Sequence, residues 1–249
     1  MKTLYNNNLD IEKAYIEKTD IEKTDIEKKD IEKSNVVEAY SQIASMFSDT
    51  RPKPWEWINN FYIKVATYKP NALVLDHGCG GGRNMVNVLD SSGENYLTNF
   101  TFIGIDNCPE FIKIARMSGY NATQSDMCAL PFNNDMFDSV VSVASFHHLA
   151  TIERRLMALN ELYRVMKSGA MGCMSVWSIN QPIKSKNYGK FKYGDNLVSW
   201  SDKKKNIICE RYYYIFELQE LYELFEKCSL IITEHEWEYG NEIIYFQKK

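Results

Sequence analysis

The stretch "ALVLDHGCGGGRNMVNVL", residues 72–89, is an apolar run that ends in an acid, then a glycine-rich turn, then a helix-like segment. A strand that feeds a glycine turn and a helix is the crossover of nucleotide-binding sheets, and several cofactors share it. Spacing excludes two of them. Counting from Gly78, the dinucleotide fingerprint needs a third glycine where this chain has Arg83, and a phosphate loop needs a Gly-Lys-Ser/Thr that never follows. What remains is Asp76-x-Gly78-x-Gly80-x-Gly82, with an acid two residues ahead of the glycines. A carboxylate aimed into such a loop suits a cofactor that carries an ammonium group better than one that carries a pyrophosphate.

Strands and helices alternate outward from this loop. The pattern predicts helices over 35–47 (capped by Ser34 or Asn35) and 55–68, parted by the helix-breaking Pro52 and Pro54. It then predicts strand 72–76, helix 82–90, strand 101–106, helix 109–118, strands 120–125 and 139–144, helix 151–166 and strand 171–177. A helix over 217–227 and two β-rich runs, 229–236 and 242–247, close the chain, and the Gly240-Asn241 connection pairs these runs as a hairpin. The fold class expected is α/β: a Rossmann-like, mostly parallel sheet with helices on both faces and a C-terminal antiparallel hairpin.

Residues 11–35 repeat a pentad, from "IEKAY" to "IEKSN". A five-residue step turns each isoleucine by about 140° around a helix, so the apolar side chains form no stripe that could dock. The division expected is a low-complexity extension over 1–35 and one domain over 36–249, in which 183–205 is a basic, aromatic loop.

The formal net charge of −4 does not advertise a nucleic-acid binder, so any such partner needs a local basic patch. The six cysteines are scattered, without the close spacing of a zinc site or a disulfide framework, and no metal is expected in this chain. With no apolar signal core or membrane-length run, the expectation is a cytoplasmic, or also nuclear, protein in which the Asn121-Ala-Thr sequon has no meaning.

Two later acids agree with the first. Asp106 ends "FIGID", where a carboxylate can accept from both ribose hydroxyls, and Asp126 in "SDM" can accept from an adenine amino group while Met127 packs on the ring. Ala144, closing the fourth parallel run, completes the expected cofactor wall. Asp76, Asp106 and Asp126 in this order, each at the carboxyl end of a strand, are similar to the arrangement of class I S-adenosylmethionine (SAM) methyltransferases, and SAM is the cofactor expected.

The segments "YSQIASMFSDTRPKPW" (40–55), "ASFHHLATIERRLMALNELYRVMKSG" (144–169), "VWSINQ" (176–181), "RYYYIF" (211–216) and "YGNEIIYFQKK" (239–249) resemble the eukaryotic tRNA wobble-uridine carboxymethyl methyltransferases. The likeness runs from Val36 to Lys249, with the pentad repeat and the spacer 90–100 outside the family pattern. It implies esterification of the carboxylate of 5-carboxymethyluridine in the tRNA anticodon loop. It also implies a small zinc-binding activator subunit at an edge strand. A carboxylate with a reference pKa of about 4 is already ionised, so the site needs no general base, only a donor to hold the oxygen in line. The resemblance puts Arg51 and Arg211 forward as guanidinium clamps, Tyr212 as a hydroxyl donor, His147 at the mouth of the site and Trp177 as a stacking surface for the base. The bland readings are a surface arginine, β-rich packing for Tyr212 to Tyr214, a packing histidine in the His147-His148 pair, a core tryptophan, and solvated Arg154 and Arg155. Within 183–205, lysines alternate with Tyr188, Phe191, Tyr193 and Trp200, a composition that grips unpaired RNA. A small-molecule (quinone-pathway-like) methyltransferase and a non-catalytic SAM-binding scaffold remain as rivals, since the glycine loop and "HHL" do not separate them.

Overall fold

The computed structural model describes residues 30–93 and 95–249. The part of the expected extension that spans 1–29 lies outside the described residues. The remainder corrects the boundary drawn at 35: helix α1 already begins at residue 30 and runs to 49, wound as a π-helix over Lys33–Glu38 and as a regular α-helix over Ala39–Asp49. The last pentad, "IEKSN", is therefore part of the folded unit.

Helix α2 (Glu56–Tyr68) leads into strand β1 (Leu73–His77). Strand β2 (Thr101–Asp106), helix α3 (Pro109–Met117), strand β3 (Ala122–Gln124) and strand β4 (Phe137–Val143) follow. A 3₁₀ turn (Phe146–His148) precedes helix α4 (Ile152–Val165), capped by Thr151, whose side chain accepts from the Arg154 amide. Then come strand β5 (Met166–Trp177), the hairpin β6 (Gly194–Ser201) and β7 (Ile207–Ile215), helix α5 (Leu218–Lys227) and the closing hairpin β8 (Leu230–Glu238) and β9 (Asn241–Lys248). The main sheet has seven strands in the order β3-β2-β1-β4-β5-β9-β8, and β6 with β7 forms a separate two-stranded sheet. The first five strands pair in parallel and β9 joins β5 antiparallel, as the sequence pattern implies.

Both faces of the sheet are covered. On one face Leu75, Ile105 and Val140 pack under α4 and α5 through Leu159, Leu162, Leu221 and Phe225. On the other, Val74, Val141 and Ile243 meet Trp57, Ile58, Phe61 and Tyr62 of α2. The order in which strands are added reverses about β1, which lies between β2 and β4, so a crevice opens at the carboxyl ends of these strands. Helix α1 and the β6–β7 hairpin roof this crevice. They pack through Tyr40, Ile43, Phe47, Phe111 and Trp200.

Two expected elements differ. No helix forms over 82–90; Asn87 hooks this stretch to the strand that follows. The Asn87 Oδ1 accepts from the Phe100 amide at 2.6 Å and the Thr98 hydroxyl at 2.9 Å, and its Nδ2 donates to the Phe100 carbonyl at 3.2 Å. Val86, Val88 and the asparagines are weak helix formers, and these local bonds outcompete the helix. The expected loop over 183–205 is instead half strand, because β6 pairs along β7 from Gly194↔Ile215 to Ser201↔Ile207.

Asn87→Ala should expose the Phe100 amide without a replacement partner and cost about 1–3 kcal/mol, read as a lower urea midpoint with an unchanged slope.

Candidate active site

A cavity of about 550 Å³ opens at the carboxyl ends of β1, β2 and β4, within the range of small-molecule sites. Its walls include Gly78, Gly80, Asp106, Asp126, Met127 and Ala144 on the sheet side. Tyr40, Arg51, His148 and Arg154 face them. Gly78 holds φ +91°, and a Cβ there would run into Ser145, so the loop tolerates no side chain at this point.

Asp76 stands behind the cavity wall, on the α2 side of β1, which it shares with Val74 by strand alternation. It is fully buried, and neither carboxylate oxygen has a hydrogen-bond partner among the described residues. Burial, reinforced by the charge of Asp106 and opposed by Arg83, pushes Asp76 up to about 7. Asp106 folds the loop back on itself: its Oδ2 accepts from the Gly80 amide at 2.8 Å and its Oδ1 from the Cys108 amide at 2.9 Å. Asp106 lines the cavity, and burial, opposed by these backbone bonds, raises its carboxyl to about 6.

Asp126 is tied more firmly. Arg154 Nη2 donates to both of its oxygens at 3.0 Å, and the Cys128 amide adds a third bond at 2.9 Å. Burial opposes its charge, but the Cys128 amide and Arg154 outweigh it and hold the carboxyl below its ordinary range. Arg154 is thus not a solvated residue. Arg155 is not solvated either; its guanidinium caps the Leu149 and Ala150 carbonyls and lies 3.4 Å from the Tyr214 ring centre.

Of the second group of expected residues, Arg51 is in the cavity wall, and His147, Trp177, Arg211 and Tyr212 are not. His147 is fully buried and does not reach the mouth: its Nδ1 accepts from the Trp177 amide at 3.0 Å, and its Nε2 has no partner. His148 faces the cavity instead. Trp177 is half-buried and its ring is already engaged, stacked on Tyr213 (ring centres 4.0 Å apart, 7° between planes) and on Phe191 (5.4 Å). Tyr212 donates to Asp195 at 2.6 Å, on the side of β7 away from Arg211. Period-two alternation accounts for this, because Arg211 and Tyr213 share one face of β7 and Tyr212 takes the other. That alternation is readable in "RYYY", and it identifies Tyr213 as the partner that the sequence reading missed.

Arg211 is 2% exposed and makes no ion pair among the described residues; its Nη1 donates to the Tyr213 hydroxyl at 2.7 Å, and its Nε has no partner. The proton order beyond it follows from His148. The His148 Nδ1–H donates to the Tyr212 carbonyl at 2.6 Å, and burial lowers this ring to about 3, so Nε2 is an acceptor. The Tyr40 hydroxyl therefore donates to His148 Nε2 at 3.1 Å and accepts from the Tyr213 hydroxyl at 2.9 Å, which in turn accepts from Arg211. Arg51 and Lys186 approach the same place. The Trp200 ring centre lies 5.2 Å from the Arg51 guanidinium, 5.8 Å from Lys186 Nζ and 5.1 Å from the Arg211 guanidinium. Among the described residues none of these three cations has a carboxylate partner.

The unpaired Asp76 fixes a pH dependence. The unfolded chain releases this proton near pH 4 and the folded chain near 7, so its contribution is whole below about pH 4 and lost as pH rises to 7. Buried His77, lowered to about 4, drifts the opposite way, so the informative quantity is a difference. Without cofactor, the stability of Asp76→Asn relative to wild type should rise by up to about 4 kcal/mol from pH 4 to 7, measured by urea unfolding.

Comparison with known proteins agrees with this geometry. Residues 75–174 match the family model of a methyltransferase domain. A Schizosaccharomyces pombe protein named tRNA (carboxymethyluridine(34)-5-O)-methyltransferase is 29% identical over 224 residues, 83% of this chain and 92% of that relative. The Xenopus tropicalis tRNA (carboxymethyluridine(34)-5-O)-methyltransferase alkbh8 is 35% identical over 63% of this chain, which spans only 23% of that longer protein. Among solved structures, a Haloferax volcanii putative methyltransferase in complex with the Trm112 methyltransferase activator superposes with a TM-score of 0.57 at 16% identity, covering 86% of this chain and 97% of that one. SAM is the cofactor of this fold, and the buried unpaired Asp76 oxygens, the Gly78 turn and the cavity volume fit it. By fold the chain is a class I SAM-dependent methyltransferase, and in sequence it is similar to the tRNA carboxymethyluridine methyltransferases over most of its length.

Proposed function

We propose that this chain methylates the carboxylate of 5-carboxymethyluridine at the tRNA wobble position. The observation that carries the reading is the cation group around Trp200: Arg51, Lys186 and the buried Arg211, with no carboxylate partner among the described residues. The three neighbouring cations repel one another, and the buried Arg211 carries a desolvation cost besides; an anionic acceptor relieves both. Asp76, Asp106 and Asp126, with Gly78, Gly80, Gly82, Met127 and Ala144, would hold SAM, which supplies an electrophilic methyl group when bound. The acceptor oxygen enters already ionised, so no proton has to be removed. This matches a site whose two histidines, His147 and His148, are both kept neutral by burial. Arg211 orients the carboxylate; because its Nη1 is held by Tyr213, the guanidinium is fixed before the acceptor arrives.

The tRNA would lie along the hairpin. Tyr188 and Tyr193 are about half exposed, at 56% and 49%, and are free to stack on bases, whereas Phe191 and Trp200 are taken up by packing inside the protein. Lys203, Lys204 and Lys205 form the β6–β7 turn and would follow phosphates. A small zinc-binding activator would extend the main sheet at an edge, which means β3 or β8. Cytoplasmic action completes this reading.

The test is transfer of labelled methyl from SAM to tRNA lacking wobble methyl esters, with the activator co-expressed. The expected product releases its label as methanol under mild base. Arg211→Ala should lower kcat/KM by about 10²- to 10³-fold. Tyr213→Phe should cost about tenfold while Tyr212→Phe stays near wild type, as the strand alternation requires. SAM binding with no label in tRNA would favour the small-molecule or scaffold reading.

A further inference from the structure

Helix α1 touches both sides of the cavity. Near its start, Glu32 Oε1 accepts from the Ala150 amide at 2.7 Å and Oε2 from Arg154 Nε at 2.7 Å. The same guanidinium holds both oxygens of Asp126 through Nη2. One turn later Asn35 Nδ2 donates at 3.1 Å to the carbonyl of Glu210, the residue before Arg211. Glu32, Val36, Val37 and Tyr40 all wall the cavity.

These ties matter because little else holds the first turns. The π-wound stretch Lys33–Glu38 contains no fully buried residue, and its apolar anchor is Val36, partly buried against the Tyr40, Ile43 and Phe111 cluster. Arg154 and Glu32 are largely withdrawn from water, at 16% and 14% side-chain exposure, while Asp126 is more open at 37%. A guanidinium is planar and its N–H directions are fixed, so capture of Nε by Glu32 sets the plane from which Nη2 addresses Asp126. Without Glu32, the Arg154 side chain has one carboxylate anchor instead of two, and the Asp126 carboxylate turns with it.

We propose that Glu32 and Arg154 are positioning residues for the cofactor: Glu32 anchors Arg154, Arg154 orients the Asp126 carboxylate toward the adenine amino group, and the first turns of α1 form a clasp over the cavity. The proposal rests on the reading of Asp126 as the adenine acceptor. It gives the last unit of the pentad repeat a role at the cofactor site.

The experiment is calorimetric titration of the full chain with S-adenosylhomocysteine, without tRNA. Cofactor-free unfolding midpoints close to wild type establish that the variants compared are folded. Glu32→Gln should raise Kd about tenfold, and Asp126→Asn at least as much. The double variant should lose no more than Asp126→Asn alone, since both changes act through one carboxylate. Asn35→Ala loosens the same helix with the charges intact and should stay within about twofold of wild type. An unchanged Kd for Glu32→Gln beside a tenfold loss for Asp126→Asn overturns the clasp and leaves the Asp126 reading standing. No loss for Asp126→Asn removes that reading and the clasp with it. Losses that multiply in the double variant, or an equal loss from Asn35→Ala, also overturn the positioning role.

Discussion

Charge is left unbalanced on both sides of one cavity, and most of the site follows from that. Asp76 and Asp106 end adjacent parallel strands, held together by a register that pairs Asp76 with Gly104 and His77 with Ile105. Arg83 is the cation whose charge Asp76 feels, and it is not close enough to keep that carboxyl in its ordinary range. Beside the opposite wall, where Arg51 lines the cavity, Arg51, Lys186 and Arg211 gather around Trp200 with no carboxylate partner among the described residues. A fold selected for stability alone would have paired these charges with each other. Kept apart, they suit two ligands of opposite sign, a cationic methyl donor against the sheet and an anionic acceptor under the hairpin.

The hydrogen-bond chain from Arg211 to His148 shows how the acceptor side is kept rigid without a titrating group. His148 gives its one proton to the Tyr212 carbonyl, so it can only accept from Tyr40, and each hydroxyl in the chain has one available direction. Because every proton in the chain is committed, the ring is a poor base. That would disable an enzyme that must deprotonate its acceptor. For a carboxylate acceptor it costs nothing, and it leaves Arg211 with one donor fixed and its Nε still open.

The parallel sheet was legible because its signals are local: apolar runs, glycines after Asp76, an acid at each strand end. The cation side was legible only as residue types. Arg51 and Arg211 were named, but the sequence could not say that Lys186 and Trp200 join them, since those contacts cross from one loop to a hairpin that reads as a loop. Two-residue alternation along β7 already separates Tyr212 from Arg211 in the sequence. The helix expected over 82–90 failed for another reason: the Asn87 side chain bonds the Thr98 hydroxyl and the Phe100 backbone, and no periodicity in residues 82–90 reports partners 11 and 13 residues away.

The hairpin also bears on what kind of acceptor the site suits. Strand β6 carries Trp200 and strand β7 carries Arg211, while the turn that joins them carries Lys203 to Lys205. A small free acid needs only the buried end of this unit. A carboxylate borne by a polyanion uses both ends at once, and the two-stranded ladder holds their separation fixed. Binding energy from phosphates at the exposed turn can then be spent on aligning the carboxylate at the buried end, which is how remote contacts raise kcat as well as affinity. Arg211 lies opposite Val198 in the ladder, two positions from Trp200, so on the proposed reading the hairpin that would grip the nucleic acid would also set the angle at which the acceptor oxygen meets the methyl group.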